Sequence, residues 1–251
     1  MLSDPSFYLV SVPAVLLYGI AKGGFGGAVA ILAVPLMALV MSPTQAAGIL
    51  LPILVVMDAF VVRTYWGHFD RRALQLLLPG ALVGIALGFL TAGAMDDNYM
   101  RVLVGLISML FGLQQLLGFA GRASGRHRAG PAAVFGTLAG FTSFSIHAGG
   151  PPLTMYLLPK GLPPLLFAGT AGMFFAVVNL VKLVPYYWLG QFTVANLLYS
   201  LILVPLAPLG VWVGHALVKR SPAGFYYRVI SFFLVVLGLK LLWDGLSGLL
   251  I

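Results

Sequence analysis

The segment YGIAKGGFGGAVAILAVP, residues 18–35, shows where the regular apolar pattern of this chain is interrupted. It is apolar at both ends, but Lys22 and four glycines within the next five residues interrupt its middle. Glycine weakens a helix interior, and a charge inside an apolar segment is costly, so this segment does not read as one ordinary buried helix. A second apolar segment is broken in the same way at HAGGPP, residues 147–152.

The composition predicts an all-α polytopic membrane protein. Of the 251 residues, 61% are hydrophobic and 8% are charged, and the mean hydropathy is +1.04. Soluble domains carry about 25% charged residues. The net charge of +8 is expected to report membrane orientation rather than nucleic-acid binding, so no nucleic-acid partner is predicted. The chain contains no cysteine, which excludes disulfides and thiolate metal sites; no metal and no cofactor are predicted.

The apolar runs predict 8 to 10 membrane helices, each about 20 residues long. Residues 6–41 and 130–160 are too long for one span and too broken for two regular ones. Each is expected to be a Gly/Pro-broken or re-entrant helix pair. No basic residue precedes the first apolar run, so a retained first helix is expected rather than a signal peptide.

The two halves of the chain carry the same landmarks in the same order. Pro79, Gly84 and Gly88 align with a second set, at Pro205, Gly210 and Gly214. The alignment predicts a first repeat at 1–119, a basic cytoplasmic linker at 120–129 and a second repeat at 130–251. Each repeat is expected to hold four to five membrane segments and to open with a broken pair, Gly26-Gly27 falling near Gly149-Gly150.

The basic loops predict that the repeats are inverted. If all of these loops face the cytoplasm, the broken segment 130–160 must either cross twice or enter and leave by one face. The three further spans of each half then turn the second repeat upside down relative to the first, as in many secondary transporters. The basic residues are Arg63, Arg71, Arg72, Arg122, Arg126, Arg128, Lys219, Arg220 and Arg228.

The broken segments are the predicted substrate site. Irregular backbone must be buried in protein or line a wet cavity, and its free N–H groups, with the following helix N-terminus, attract anions. One break supplies a lysine and the other supplies hydroxyls and an imidazole, a combination that suits a small oxyanion. The predicted substrate-binding residues are Lys22, Gly23, Gly24, Phe25, Gly26, Gly27, Ser143, Ser145, His147, Gly149, Gly150, Asn179 and Lys182.

Ionisable residues inside spans are candidates for proton coupling. Asp58 and Asn179 occupy equivalent positions, each seven residues before an aligned tyrosine. Asp58 is expected to carry a proton or to pair with Lys22 or Arg63. His147 is the second candidate, as a ligand of the substrate or of a proton.

Other features have structural interpretations. The small-residue stripes containing Gly84 and Gly210 predict tight helix packing, and they would also allow a homodimer. Lys240, Gln114 and Gln115 are expected to snorkel to an interface. The aromatic residues near span ends are expected to be interfacial anchors; they are Tyr65, Trp66, Tyr186, Tyr187 and Trp188.

The sequence resembles the sulfite exporter TauE/SafE family, also called the toluene sulfonate uptake permease family. The resemblance is carried by GIAKGGFGGAVAILAVP (19–35), RTYWGHFDRRAL (63–74), LLPGALVGIALG (77–88) and GFTSFSIHAGGPP (140–152), and it extends from about residue 10 to 245. It implies a transporter of the bacterial inner membrane with two repeats. It also implies anionic sulfur compounds such as sulfite and sulfonates as substrates, with proton-coupled export as the expected activity.

Alternatives remain open: a passive anion channel of the same architecture, or uptake of a small organic acid. An enzyme that uses Ser143 or Ser145 with His147 is not expected, since Ser145 and His147 are two residues apart and point to different helix faces. A membrane scaffold has no need of two matching breaks. The expected partners are a small anion and membrane lipids.

Overall fold

The computed structural model describes residues 5–27, 30, 33–37, 39–92, 97–117 and 127–250. The predicted linker up to residue 126 and the side chains of Gln114 and Gln115 lie outside the described residues. The helices within these ranges are α1 (Pro5–Gly24), α2 (Ala33–Met37), α3 (Pro43–Tyr65), α4 (Arg71–Thr91), α5 (Asp97–Leu116), α6 (Ala129–Ile146), α7 (Gly150–Leu157), α8 (Pro164–Trp188), α9 (Val194–Leu203), α10 (Leu206–Arg220) and α11 (Ala223–Leu250).

The helices are those of a multi-pass membrane protein. In the described part of the chain, α1, α3, α4, α6, α8 and α11 are each long and apolar enough to cross a bilayer. Helices α9 and α10 meet at a bend of 46° and make a seventh span if they are counted together. The all-α class is therefore confirmed with six or seven candidate spans, and the number of 8 to 10 membrane helices stays a prediction.

The first predicted break is present where α1 ends. Gly26 and Gly27 follow that end with φ of 61° and 78°, in the left-handed region that favours glycine. The Gly27 N–H donates to the carbonyl of Ala21 over 3.1 Å. The glycines therefore end the helix and turn the chain.

The second break has the same local geometry. α6 ends at Ile146, and His147 follows with φ of 53°; within the described ranges no other non-glycine residue has a positive φ. The Ala148 N–H donates to the carbonyl of Thr142 over 3.1 Å, again six residues back. His147 thus stands at the kind of position that Gly26 occupies in the first break, and an L-residue is strained there.

Helices α6 and α7 form a hairpin whose two ends lie together. His127, just before α6, makes a contact of 3.1 Å from Nδ1 to the hydroxyl of Tyr156 near the end of α7. Its Nε2 lies 2.8 Å from Oδ2 of Asp70, which caps α4. The backbone N–H of Asp70 donates to Thr170 on the first turns of α8. The second broken segment therefore enters and leaves at one end of the bundle.

The two long helices on either side of the first break, α1 and α3, begin beside the same helix, α9. Phe7 at the start of α1 packs against Tyr199 of α9, with ring centroids 5.1 Å apart. Gln45 at the start of α3 donates to Asn196 of α9 over 3.3 Å. The start of α1 and the start of α3 thus lie beside the same helix, at the end away from His127.

Glycines allow pairs of helices to touch backbone to backbone, as the stripes predicted. A Cβ on Gly84 of α4 would overlap the Thr137 carbonyl oxygen of α6, and one on Gly214 of α10 would overlap the Ile20 carbonyl oxygen of α1. These glycines are used within the chain. The possible homodimer stays a prediction.

Candidate functional site

A buried ion pair joins α1 to α3. Nζ of Lys22, on the last turn of α1, pairs with Oδ1 of Asp58, and both side chains are almost fully buried. Lys22 also donates to the Leu54 carbonyl over 3.4 Å. Of the two partners predicted for Asp58, Lys22 is the one it meets. The charge of Lys22 is thereby neutralised in this conformation.

Oδ2 of Asp58 orients the side-chain amide of Asn179 on α8. Asn179 Nδ2 donates to Asp58 Oδ2 over 2.7 Å. Because Nδ2 faces the carboxylate, Oδ1 of Asn179 faces the other way, 3.4 Å from Nζ of Lys182. The two residues that the sequence aligned as equivalents are therefore in direct contact, and they connect the two lysines.

Lys182 is fully buried and surrounded by acceptors. Its Nζ lies 2.6 Å from the Ser143 carbonyl oxygen, 3.2 Å from Ser143 Oγ and 2.8 Å from Nδ1 of His147. An ammonium group has three protons to donate. With the Asn179 oxygen, the protein supplies four acceptors for these protons. Ser143 and His147 lie on the α6–α7 hairpin, so the hairpin supplies most of the ligands of this lysine.

The hydrogen bonds of His147 define its tautomer. Nε2 lies 3.1 Å from the carbonyl oxygen of Ala47, which can only accept, so Nε2 carries a proton. Nδ1 faces Nζ of Lys182, and this nitrogen-to-nitrogen contact holds a single proton. The pair of His147 and Lys182 carries one positive charge when Lys182 is an ammonium group, and none when Lys182 is a neutral amine that donates to Nδ1.

The buried network contains two lysines and one carboxylate. Among the described residues, the buried lysines and carboxylates are Lys22, Asp58 and Lys182. Asp58 is the counter-ion of Lys22, and Lys182 has none among the described residues. Removing an ion from water costs several kcal/mol, so the charged form of Lys182 would be stabilised by an anion that reached it.

Three buried tyrosines hold the helix ends around this network. Tyr65 donates to the Gly23 carbonyl and Tyr186 donates to the Phe144 carbonyl over 2.8 Å; in each case the carbonyl lies 42 residues earlier in the chain. Tyr18 donates to the His147 carbonyl at 3.5 Å. Each of these phenols thus binds the backbone beside a break.

The aromatic residues predicted as interfacial anchors divide into exposed residues, for which the role stays a prediction, and buried ones. Trp66, Tyr187 and Trp188 are exposed, with about 70% of their surface accessible. Tyr65 and Tyr186 are buried, and for them the prediction is wrong. Both lie one turn or less from a helix end, but they face the interior, where their hydroxyls find carbonyl partners.

The glycines of the first break divide into two groups. Gly23 and Gly24 belong to α1, and a Cβ on either would overlap backbone of α10, so close packing explains them. Gly26 and Gly27 form the turn and pack against the rings of Phe167 and Phe175 on α8. Phe25 is half-buried against the core.

Only some of the residues around the second break join the lysine network. Ser143 joins the lysine network, but Ser145 donates to the Phe141 carbonyl over 3.0 Å and stays outside it. Gly149 lets the hairpin fold back, since a Cβ there would crowd Ser143. Gly150 begins α7 and is buried. The described residues contain no group of three or more His, Cys, Asp or Glu that could hold a metal ion.

The family follows from a match to the model described as Sulfite exporter TauE/SafE, which covers residues 11–241. The chain belongs to this family. No curated protein and no solved structure matches it. As a TauE/SafE protein with several apolar helices, it fits a membrane transporter, and the resemblance seen in the broken segments is confirmed.

Two groups of the candidate site in this TauE/SafE chain were not predicted from the sequence. The Ala47 carbonyl sets the tautomer of His147, but backbone oxygens leave no mark in a sequence. Tyr18 lies on the apolar run before Lys22, where it reads as an ordinary interfacial aromatic residue. The equal spacing of Tyr65 from Asp58 and of Tyr186 from Asn179 was the signal that the two aligned tyrosines belong to the site.

Proposed function

We propose that this protein is a secondary transporter that moves small anions across the bacterial inner membrane. Sulfur oxyanions and organosulfonates are the proposed substrates, in keeping with the family. The observation that carries the proposal is Lys182, a buried lysine of α8 that contacts the tip of the α6–α7 hairpin and has no counter-ion among the described residues. An anion that reached Nζ would be the counter-ion of its ammonium form.

The architecture that we propose is an inverted repeat. It is supported by hairpins that open at opposite ends of the bundle, one anchored near Asn196 and the other near Asp70. It is supported further by the contact between Asp58 and Asn179, which the sequence alignment makes equivalent. A pseudo-two-fold axis that passes between these two side chains would relate the halves.

The gating step is a separation of the α6–α7 hairpin from α8. The hairpin provides the Ser143 oxygens and His147 Nδ1, whereas Lys182 and Asn179 belong to α8. The Lys182 protons are directed to protein atoms in this conformation. Withdrawal of the hairpin would expose Nζ to an anion from one side of the membrane.

Proton coupling is assigned to His147 rather than to Asp58. Both oxygens of Asp58 are occupied, by Lys22 and by Asn179. When an anion accepts the Nζ–H of Lys182, Nδ1 of His147 loses its donor and is free to take a proton. Anion and proton would then bind together and cross in the same direction. An outward anion gradient would give export, and an inward proton gradient would give uptake.

The test is flux in proteoliposomes that hold sulfite or methanesulfonate and a pH-sensitive dye. We expect anion flux that is accompanied by proton flux and that responds to an imposed pH gradient. Anion flux that does not change with the pH gradient would indicate a passive channel instead of a coupled transporter. If neither anion is transported, the proposed function is wrong.

A further inference from the structure

We infer that Phe175 limits the size of the transported anion, so that the site accepts sulfite or a sulfonate with a small organic group and excludes an aromatic sulfonate. This inference rests on the proposed transport of anions. It comes from the position of the Phe175 ring, which lies between the two breaks and beside the residues that surround Lys182.

The ring of Phe175 fills the space between the two breaks. A Cβ on Gly27 of the first break would lie 3.1 Å from Cε2 of this ring, and one on Gly149 of the second break would lie 3.0 Å from Cε1. These two carbons are on opposite edges of the ring. A single buried side chain of α8 therefore separates the two broken segments.

Phe175 also borders the polar site. Phe175, Asn179 and Lys182 are at positions i, i+4 and i+7 of α8, so they lie on one face of this helix. Helical side chains lean toward the N-terminus of their helix, and Nζ of Lys182 accordingly reaches back to within 3.4 Å of Oδ1 of Asn179. His147, which contacts the same Nζ, is two residues before Gly149. An anion bound at Nζ would therefore lie close to the Phe175 ring.

The ring would keep its place when the site opens. In the proposed gating step the α6–α7 hairpin moves and takes Gly149 with it, whereas Phe175 belongs to α8 together with Lys182. Along α8, Phe175 comes between Lys182 and Thr170, which accepts a hydrogen bond from Asp70 at the end of the bundle where the hairpin begins and ends. An anion that moved between Lys182 and that end would pass the ring, and its organic group would need the space that the ring occupies.

The experiment compares two sulfonates that differ in their organic group. Methanesulfonate carries a methyl group and benzenesulfonate carries a phenyl group, and each has one negative charge, so the comparison reports size. Initial rates of uptake of the two radiolabelled anions are measured in proteoliposomes, and protein-free liposomes give the leak. We expect the unaltered protein to transport methanesulfonate and to exclude benzenesulfonate.

Phe175→Ala removes the ring and leaves a space similar in size to the phenyl group of benzenesulfonate. We expect the ratio of benzenesulfonate flux to methanesulfonate flux to rise by about tenfold or more. One methylene group in an apolar pocket already changes selection by about ten- to two-hundredfold, and the substitution opens space for a whole ring.

The matched control is Phe174→Ala. Phe174 is also a fully buried phenylalanine of α8, and its ring meets that of Phe175 edge to face with centroids 5.3 Å apart. It lies about 100° further round the helix, so its removal opens space away from the face that carries Lys182. We expect this variant to keep the flux ratio of the unaltered protein.

An unchanged ratio in a folded Phe175→Ala protein would overturn the inference and leave anion transport standing, as would an equal rise in the two alanine variants. If Phe175→Ala does not fold, Phe175→Leu takes its place, and the ratio should rise by a smaller factor in the same direction. If neither variant folds, the unaltered protein still decides, because equal flux of the two sulfonates would overturn the size limit. Failure of the unaltered protein to transport either sulfite or methanesulfonate would count against the proposed function itself.

Discussion

Asn179 donates a hydrogen bond of 2.7 Å to Asp58 and turns its amide oxygen toward Lys182. One side chain therefore connects a neutralised lysine, Lys22, with one that has no counter-ion. Two residues at equivalent positions of the two halves have taken different chemical roles. The carboxylate neutralises its lysine, and the amide orients without adding charge.

Lys182→Met is expected to abolish anion transport. Methionine keeps the length of the side chain but removes the charge and its donors, and charge-assisted hydrogen bonds contribute about 1.5–3 kcal/mol each. The initial rate of anion flux in proteoliposomes should fall by about a hundredfold or more.

The matched control for this variant is Lys240→Met. Lys240 lies on α11, partly exposed, and pairs with Asp244 one turn away. We expect normal flux from it. A folded Lys182→Met protein with normal flux would exclude Lys182 as the anion ligand.

The buried pair is expected to show strong coupling in a double-mutant cycle. Lys22→Met or Asp58→Leu alone leaves a buried charge unpaired, and the loss of stability should be about 3–5 kcal/mol. Combining the two substitutions removes both charges and should restore most of the stability. Chemical unfolding in detergent measures the three variants, and additive losses would show that the pair is not coupled.

His147→Gly is expected to be more stable than His147→Ala. Both variants lose the imidazole, but only glycine relieves the left-handed backbone at this position, a difference of about 1–2 kcal/mol. Thermal unfolding compares them, and both should have lost proton flux. Equal stability of the two variants would show that the backbone at residue 147 is not strained.

Gly84→Ala is expected to destabilise the protein, because a Cβ there overlaps the Thr137 carbonyl oxygen on the neighbouring helix. Gly130→Ala is the control: no atom lies within 4 Å of its Cβ position, and alanine in a helix is favoured over glycine by about 0.5–1 kcal/mol. Thermal unfolding should move in opposite directions for the two variants. The same sign in both would contradict the backbone contact of α4 with α6.

The hairpin can be tested directly, because the chain has no cysteine to remove. Single cysteines at Ala129 and Lys160, before and after the hairpin, should react with a membrane-impermeant maleimide from the same side. One at Ala195, at the start of α9, should react from the other side. Labelling of positions 129 and 160 from opposite sides would mean that the segment crosses the membrane.

Much of the fold could be predicted because its signals are local. Glycine and proline mark the breaks through backbone preference, so both interruptions lie where the sequence placed them. Spacing also predicted that Gly84 and Gly214 pack helices together. The number of spans was harder to predict. By length and hydropathy, six or seven of the described helices can cross a membrane, and these criteria do not decide whether the shorter helices do.

The structure brings several of the predicted site residues together, in contacts that the sequence did not predict. Lys22 was interpreted as the attractive charge, and the glycine N–H groups as ligands. In the structure, Lys22 is neutralised, Gly23 and Gly24 pack helices, and Lys182 is the buried lysine without a counter-ion among the described residues. A lysine in a sequence gives no information about its counter-ion.

The sequence by itself determined that this is a helical membrane protein with two broken segments and a few buried polar residues, because composition and backbone preference act over short stretches of chain. Only the tertiary structure decided which lysine remains without a counter-ion. Asp58 is 36 residues from Lys22 and 121 from Asn179. Contacts over such separations depend on how helices pack, and helical periodicity relates residues only within one helix.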